Sequence, residues 1–167
     1  YYYNCPCAFD IETTSFFVEN GITYTNDNED HTREKRAIMY IWQFGINGAC
    51  IIGRTWNEFK LLMMRISDDL GLNEKRRLLV YVHNLSYEFQ FMRKHFTWDS
   101  VFATDSRKPI KALTSLGIEF RDSYILSGYS LAKLGNELHK YKVSKMIGDL
   151  DYSKMRHNET PLTDKEM

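Results

Sequence analysis

Two acidic residues, Asp10 and Glu12, lie one position apart in the otherwise uncharged segment 8–14. On a β-strand, residues i and i+2 share a face, so the two carboxylates would project side by side. Two negative charges this close favour a divalent cation such as Mg²⁺ or Mn²⁺, and a pair of such ions can serve the attacking and the leaving oxygen of a phosphoryl reaction. The segment therefore predicts metal-dependent phosphate chemistry. The alternative is an ordinary edge strand that carries two solvated acids.

A third carboxylate follows a second apolar segment. Residues 78–83 predict a buried strand that ends at Asn84, and Glu88 then lies about one turn into the following helix. Mixed sheets place ligands where a strand ends and a helix begins. His83 and Asn84 are therefore candidate ligand contacts. Their alternative roles are a turn residue and a helix N-cap, for which Asn is a preferred type.

The composition indicates one globular domain over residues 1–167. The chain is 43% hydrophobic, which is enough to bury one sizeable core. Its 22 basic and 22 acidic residues cancel, so any binding of nucleic acid must come from a local patch. No apolar stretch has the length of a membrane span, and the first residues lack a signal-peptide pattern. We therefore expect a cytoplasmic protein without a membrane partner.

The hydrophobic pattern alternates between strand and helix periods. Asn47-Gly48 predicts a two-residue hairpin turn, and a capping box at Thr55 and Glu58 together with Gly71 frames a helix. The predicted fold class is α/β (α+β), a mixed sheet flanked by helices. In chain order the prediction has a strand at 5–13, an irregular polar stretch at 14–36, strands at 37–45 and 49–53, a helix at 56–70, a strand at 78–83, a helix at 85–96, strands at 109–114 and 118–122, and a helix at about 130–139.

The end of the chain carries a second capping-box spacing, at Thr163 and Glu166. This spacing predicts the start of a further helix, in which Asp164 and Glu166 favour the helix dipole rather than bind metal. The chain also opens on Tyr1 instead of Met. From both ends we expect the 167 residues to be an N-terminal fragment of a longer polypeptide.

The order and spacing of several segments resemble a known family. These segments are F-D-I-E-T-T at 9–14, Y-V-H-N-L-S-Y-E-F at 81–89, and R-D-S-Y at 121–124 leading to G-D-L-D-Y at 148–152. Together they resemble the 3′–5′ exonuclease domain of protein-primed family B DNA polymerases, found in phages and linear plasmids. The resemblance runs from about residue 8 to the end of the chain. It implies a ribonuclease H-like fold and proofreading during DNA replication, within a DNA-directed DNA polymerase.

The resemblance implies a two-metal site that binds Mg²⁺ or Mn²⁺. Asp10 and Glu12 match ligands of the first family motif, and Glu88 falls where the family usually has Asp, so its ligand role must accommodate one extra methylene. Tyr152 matches the tyrosine that helps to place the scissile phosphate, and it would orient the attacking water. The family's last ligand comes from a Y-x-x-x-D motif, which would lie beyond residue 167. These residues alone are therefore expected to be weakly active or inactive.

The resemblance also implies contacts to the 3′ end of single-stranded DNA. The second segment matches residues that touch the primer end, and the R-D-S-Y segment matches an element that holds the single strand. Where the family often carries a lysine before the glycine of G-D-L-D-Y, this chain has Ile147, and a lysine two residues earlier would substitute for it. The residues assigned to this contact are Thr13, His83, Asn84, Tyr87, Ser123, Tyr124 and Lys145.

Three functions are consistent with the sequence. The first is the proofreading exonuclease domain of a replicative polymerase, with the polymerase portion of the same parent chain and a terminal-protein primer as further partners. The second is a free-standing exonuclease of the same fold. The third is a non-catalytic domain that binds single-stranded DNA or docks other parts of the polymerase.

Overall fold

The computed structural model of the protein describes residues 1–24, 34–105, 108–138, 150, 154–164 and 166. In these residues it confirms the predicted mixed α/β fold, with one mixed sheet flanked by helices. The strands are β1 (Tyr2–Glu19), β2 (Ile22–Tyr24), β3 (Glu34–Ile46), β4 (Ala49–Gly53), β5 (Arg77–Val82), β6 (Trp98–Ala103), β7 (Pro109–Thr114) and β8 (Ile118–Asp122), and the helices are α1 (Trp56–Leu70), α2 (Leu85–Met92), α3 (Tyr124–Ser127) and α4 (Leu131–Glu137).

Three parallel strands lie together at the centre of the sheet. The strand order is β4-β3-β1-β5-β8-β7-β6, and β2 pairs with the end of β1. β1, β5 and β8 run parallel, whereas the other neighbouring strands are antiparallel. The register sets Phe9 beside Val82, and Val82 beside Asp122. The next residue of each strand therefore lies at the same level of the sheet, where the ends of parallel strands commonly form a ligand site.

Phe59 of α1 occupies the centre of the core. Its side chain is fully buried, and its ring stacks on that of Phe9 with the centroids 4.4 Å apart. Phe9 and Ile11 of β1 are both buried. Because successive strand residues alternate between faces, Asp10 and Glu12 point to the face of the sheet that α1 does not cover.

The local signals predicted around α1 and the first hairpin are confirmed. Glu58 N donates to Thr55 Oγ1 at 3.2 Å, and Thr55 N donates to Glu58 Oε2 at 2.8 Å, which completes the capping box. Gly71 ends α1 with a φ of 58°, a left-handed conformation in which glycine has no Cβ penalty. Asn47 and Gly48 turn the chain between β3 and β4 with φ values of 48° and 85°, as a tight hairpin requires.

The prediction of an irregular stretch at 14–36 is wrong where the structure describes it. β1 continues to its end at residue 19, β2 follows, and the second half of β1 pairs with the first residues of β3. β-Branched and aromatic residues favour this extension. A cation–π contact between paired residues adds to it, since Lys35 Nζ lies 6.0 Å from the ring centroid of Phe17. Residues 25–33 lie outside the described part of the chain.

The later elements follow the prediction, with three differences. α2 ends at Met92, four residues before the predicted end. Strand β6 and the single-turn helix α3 are not predicted by the sequence pattern. β6 gives no alternating signal because nearly all of its residues are exposed. No helix among the described residues is long and apolar enough to cross a membrane.

Glu119 of β8 is fully buried and is held by two arginines. Burial alone would raise the pKa of this carboxyl, but hydrogen bonds from Arg121 at 2.6 Å and Arg77 at 3.0 Å outweigh it and hold the pKa below its usual range.

We expect Glu119→Gln to lower the free energy of unfolding by about 2 kcal/mol, since both arginines lose their counter-charge. Denaturant unfolding measures this loss. Glu137→Gln, which removes an exposed partner of Lys133, is the control and should change the free energy by less than about 0.5 kcal/mol; equal effects of the two substitutions would contradict the stabilising role of Glu119.

Candidate metal and nucleic-acid site

A cavity of about 310 Å³ lies where the parallel pairing of β1, β5 and β8 ends. Asp10, His83 and Ser123 all line it, and each is a residue that the sequence assigns to the site. They come from β1, from the loop after β5 and from the loop after β8. The parallel register thus brings together three residues that are far apart in the sequence.

Glu88 is a buried carboxylate near the start of α2. The residue is 4% exposed, and its Oε2 has no hydrogen-bond partner in the described part of the chain. Burial, together with the negative charges of Asp10 and Asp122, raises the pKa of Glu88 to about 8. Three carboxyl groups are therefore close enough to interact. A buried acid in such a group is costly unless a proton or a cation compensates its charge.

Asp122, the last residue of β8, is a member of this group that the sequence analysis did not assign. Its Oδ2 accepts a hydrogen bond from Leu85 N at 3.0 Å, and its Oδ1 accepts from Tyr124 N at 2.7 Å and Ile125 N at 3.2 Å. The carboxylate thus satisfies backbone N–H groups at the starts of both α2 and α3. Its position as the last residue of a predicted strand is the signal that would identify it.

Asn84 occupies the N-cap position of α2, but its side chain does not cap the helix as its residue type favours. It has a left-handed φ of 74°, and its side chain makes no capping hydrogen bond. Its Oδ1 instead accepts from Ser86 Oγ at 2.8 Å. Asp122 takes the capping role because β8 brings its carboxylate to the backbone N–H of Leu85. The side chain of Asn84 therefore lies exposed at the rim of the site, where a ligand can reach it.

Glu12 shares the face of Asp10 but acts on a different group. The pairing of β1 with β3 shifts between Glu12 and Thr13, which leaves Tyr40 as an extra, bulged residue of β3. Tyr40 is buried, and its hydroxyl has no hydrogen-bond partner in the described residues. Burial and the charge of Glu12 both raise the pKa of Tyr40. The charge of Asp10 thus acts on the buried carboxyl of Glu88, and the charge of Glu12 acts on the buried hydroxyl of Tyr40.

Two of the residues assigned to single-stranded DNA, His83 and Ser123, line this cavity. Thr13 Oγ1 and the hydroxyl of Tyr87 share a hydrogen bond of 2.5 Å. His83 Nδ1 lies 3.2 Å from Ser123 Oγ, and the imidazole ring meets the ring of Tyr124 edge to face at 5.5 Å. Tyr87 and Tyr124 are 39% and 45% exposed, so their rings are accessible for stacking on bases.

The carboxylates fit a divalent cation in part. In the described ranges, no group of three or more His, Cys, Asp or Glu side chains is placed to hold one ion. Asp122 already accepts backbone hydrogen bonds, so the unpartnered oxygen of Glu88 beside Asp10 is the feature that a cation would compensate. Lys145 and Tyr152, both assigned to the site, lie outside the described residues.

Comparison with known proteins gives no match. No protein-family model, no curated protein and no solved structure matches the chain. The resemblance to exonuclease domains therefore depends on the order and spacing of the quoted segments. Any functional assignment must be argued from the geometry of the site.

Proposed function

We propose that the chain is a 3′–5′ exonuclease domain that hydrolyses the terminal phosphodiester of single-stranded DNA with two divalent metal ions. Glu88 carries this proposal, because its buried carboxylate has an oxygen without a partner among the described residues and experiences the negative charges of Asp10 and Asp122. Oxygen ligands with concentrated negative charge suit Mg²⁺ and Mn²⁺. The site is also bordered by the exposed aromatic residues that binding of a single strand needs.

The strand order supports a ribonuclease H-like fold. β1 lies between an antiparallel neighbour, β3, and the parallel strands β5 and β8, and β4 lies outside β3. A mixed sheet of this kind, with β3 antiparallel to β1 and the parallel strands at the centre, agrees with the fold that the resemblance implies. In the proposed parent protein, the domain would proofread beside the polymerase portion of the same chain. A terminal protein would be a further partner if that polymerase starts from a protein primer.

The side chains have distinct parts in the proposed reaction. Asp10, Glu12 and Glu88 would hold the metal ions, which supply positive charge at the scissile phosphate and lower the pKa of the attacking water. The rings of Tyr87 and Tyr124 would stack on the last bases of the strand, a contact that accepts any base. The 3′ end of the strand would thus lie between the rings of Tyr87 and Tyr124 and the carboxylates of Asp10 and Glu88.

The test is metal-dependent shortening of a DNA strand. A single-stranded oligonucleotide labelled at its 5′ end is incubated with the protein while Mn²⁺ is titrated, and the products are separated by length. Since a further acidic motif is expected after residue 167, the chain is compared with a version extended through the next helix. We expect products that shorten from the 3′ end, with the extended version more active. Cleavage inside a strand with a blocked 3′ end would contradict the proposal.

A non-catalytic single-strand-binding domain is the second candidate. It is favoured by one observation, that no three-ligand group is placed to hold an ion in the part of the chain that the structure describes. Such a domain predicts that neither version shortens the strand, although both bind it in EDTA. Equal activity of the two versions would instead favour a free-standing exonuclease.

A further inference from the structure

A second cavity, of about 780 Å³, lies beside α1 and α2. It is bounded by the start of β3, the loop before α1 and the residues at the end of α2. Among the described residues that line it, none is acidic. We call it the basic cleft. The basic and aromatic residues that line it include Lys35, Arg54, Trp56, Arg93, Lys94 and His95.

The basic cleft concentrates positively charged side chains. Among the described residues, no carboxylate forms an ion pair with Lys35, Arg93 or Lys94. Arg54 is held by three backbone oxygens, to which its guanidinium donates at 2.7 to 3.0 Å. Because the whole chain has a net charge of zero, this concentration of positive charge is local. Such a patch attracts a polyanion.

His95 responds to this positive potential. Its ring stacks on Trp56 with the centroids 4.9 Å apart, in the wall of the basic cleft. Burial lowers the pKa of His95, and the charges of Lys94 and Lys60 lower it as well. An anion bound in the cleft would oppose these charges and raise the pKa of His95.

The basic cleft adjoins the residues assigned to the DNA strand. Met39 lines the cleft and pairs with Thr13 of β1. Phe91 also lines it, and its ring centroid lies 5.3 Å from that of Tyr87. Thr13 and Tyr87 share a hydrogen bond. A strand that passes Tyr87 on its way from the cavity lined by Asp10 would therefore enter the cleft.

We propose that the basic cleft binds the phosphates of the single strand on the 5′ side of the nucleotide held at Asp10 and Glu88. This inference rests on the proposed exonuclease function. Repeated phosphates match a cluster of cations that have no acidic partner among the described residues, and the strand must leave the cavity at Asp10 in the 5′ direction once its 3′ end is held there. The cleft thus adds affinity for long strands without taking part in hydrolysis.

The test compares two double variants by fluorescence anisotropy in EDTA. The probe is labelled oligothymidylate of about 20 nucleotides, longer than the site of about 4 to 16 nucleotides that one binding domain covers. Arg93→Ala with Lys94→Ala removes two cations from the cleft. Arg65→Ala with Lys75→Ala removes two exposed cations near the far end of α1 and is the matched control.

We expect the cleft variant to bind about 25-fold more weakly at 0.1 M salt, since each phosphate contact contributes about fivefold there. The slope of log affinity against log salt concentration should also be less negative by about 1.4 in this variant. The control should bind as the wild type does. Bound strand should raise the pKa of His95, followed by NMR titration of its ring.

Three results would overturn the inference. These are equal binding by the cleft variant and the control, displacement of the strand by polyglutamate at equal charge concentration, and an unchanged His95 titration. Binding in EDTA does not require metal at Asp10 and Glu88. A loss of strand affinity in the cleft variant therefore supports binding by the basic cleft even if no hydrolysis occurs. If the cleft variant still hydrolyses the strand and binds it with unchanged affinity, the cleft does not bind the strand, whereas the exonuclease proposal remains.

Discussion

Replacing Asp10 by asparagine is expected to slow the shortening of the strand by a factor of about 1,000, equivalent to about 4 kcal/mol of transition-state stabilisation. Asp10 lines the cavity at the strand ends and acts electrostatically on Glu88. The substitution removes one negative charge from the proposed metal site and keeps the shape of the side chain. Because Asp10 is exposed, the fold should tolerate the change. The rate is measured with saturating Mn²⁺ on the more active of the two versions.

Asp99→Asn is the matched control for this experiment. Asp99 is an exposed acid on edge strand β6, so the same chemical change is made away from the cavity. We expect the control to retain the wild-type rate. Binding of Mn²⁺ to both variants, followed by its electron paramagnetic resonance signal, separates loss of metal from loss of chemistry. A wild-type rate in Asp10→Asn would show that hydrolysis does not occur at the acidic site.

Glu88 is expected to make the metal-free protein less stable as the pH rises. Its pKa is about 8 in the folded protein, against an ordinary value of 4.5, so the folded state keeps a proton that the unfolded state loses. The free energy of unfolding therefore falls between about pH 4.5 and pH 8, by up to about 1.4 kcal/mol per pH unit and on the order of 5 kcal/mol in all. Urea unfolding in EDTA across this range measures the fall.

Glu88→Gln should remove most of this dependence, since glutamine has no proton to lose. Above pH 8 without metal, the variant should therefore be more stable than the wild type. Added Mn²⁺ should reverse the order, because a cation stabilises the ionised carboxylate of Glu88 but gains little from the amide. An equal pH dependence in the wild type and the variant would show that Glu88 is not the group responsible. A pH dependence that Mn²⁺ leaves unchanged would count against Glu88 as a metal ligand.

Local patterns in the sequence were sufficient wherever neighbouring residues determine the structure. The capping box at Thr55 and Glu58 and the turn at Asn47-Gly48 are examples, because their hydrogen bonds and φ values involve residues within a few positions of each other. The same holds for the common face of Asp10 and Glu12, which follows from the period of a strand. The prediction of an irregular stretch at 14–36 was wrong for the described residues 14–24 and 34–36, because pairing with β3 supports a strand in β1, and such pairing is not visible in local composition.

The candidate site could be predicted only in part for the same reason. Asp122 caps the start of α2 from a strand 37 residues further along the chain, so the residue type of Asn84 was a misleading guide to the cap. The position of Glu12 beside Tyr40 depends on one bulge in β3. The basic cleft collects cations from three separated segments, and their sum is invisible in a chain whose charges cancel.

The sequence by itself determined the types of functional groups and their local geometry, namely paired acids on one strand face, a third acid one turn into a helix, and aromatic residues beside it. The tertiary structure alone decided which of these groups meet. Parallel pairing of β1, β5 and β8 places Asp10, His83 and Ser123 around one cavity, and the charge of Asp10 acts on the buried Glu88. The physical reason is that burial and electrostatic interaction depend on distance in space, which strand register sets between residues far apart in the chain.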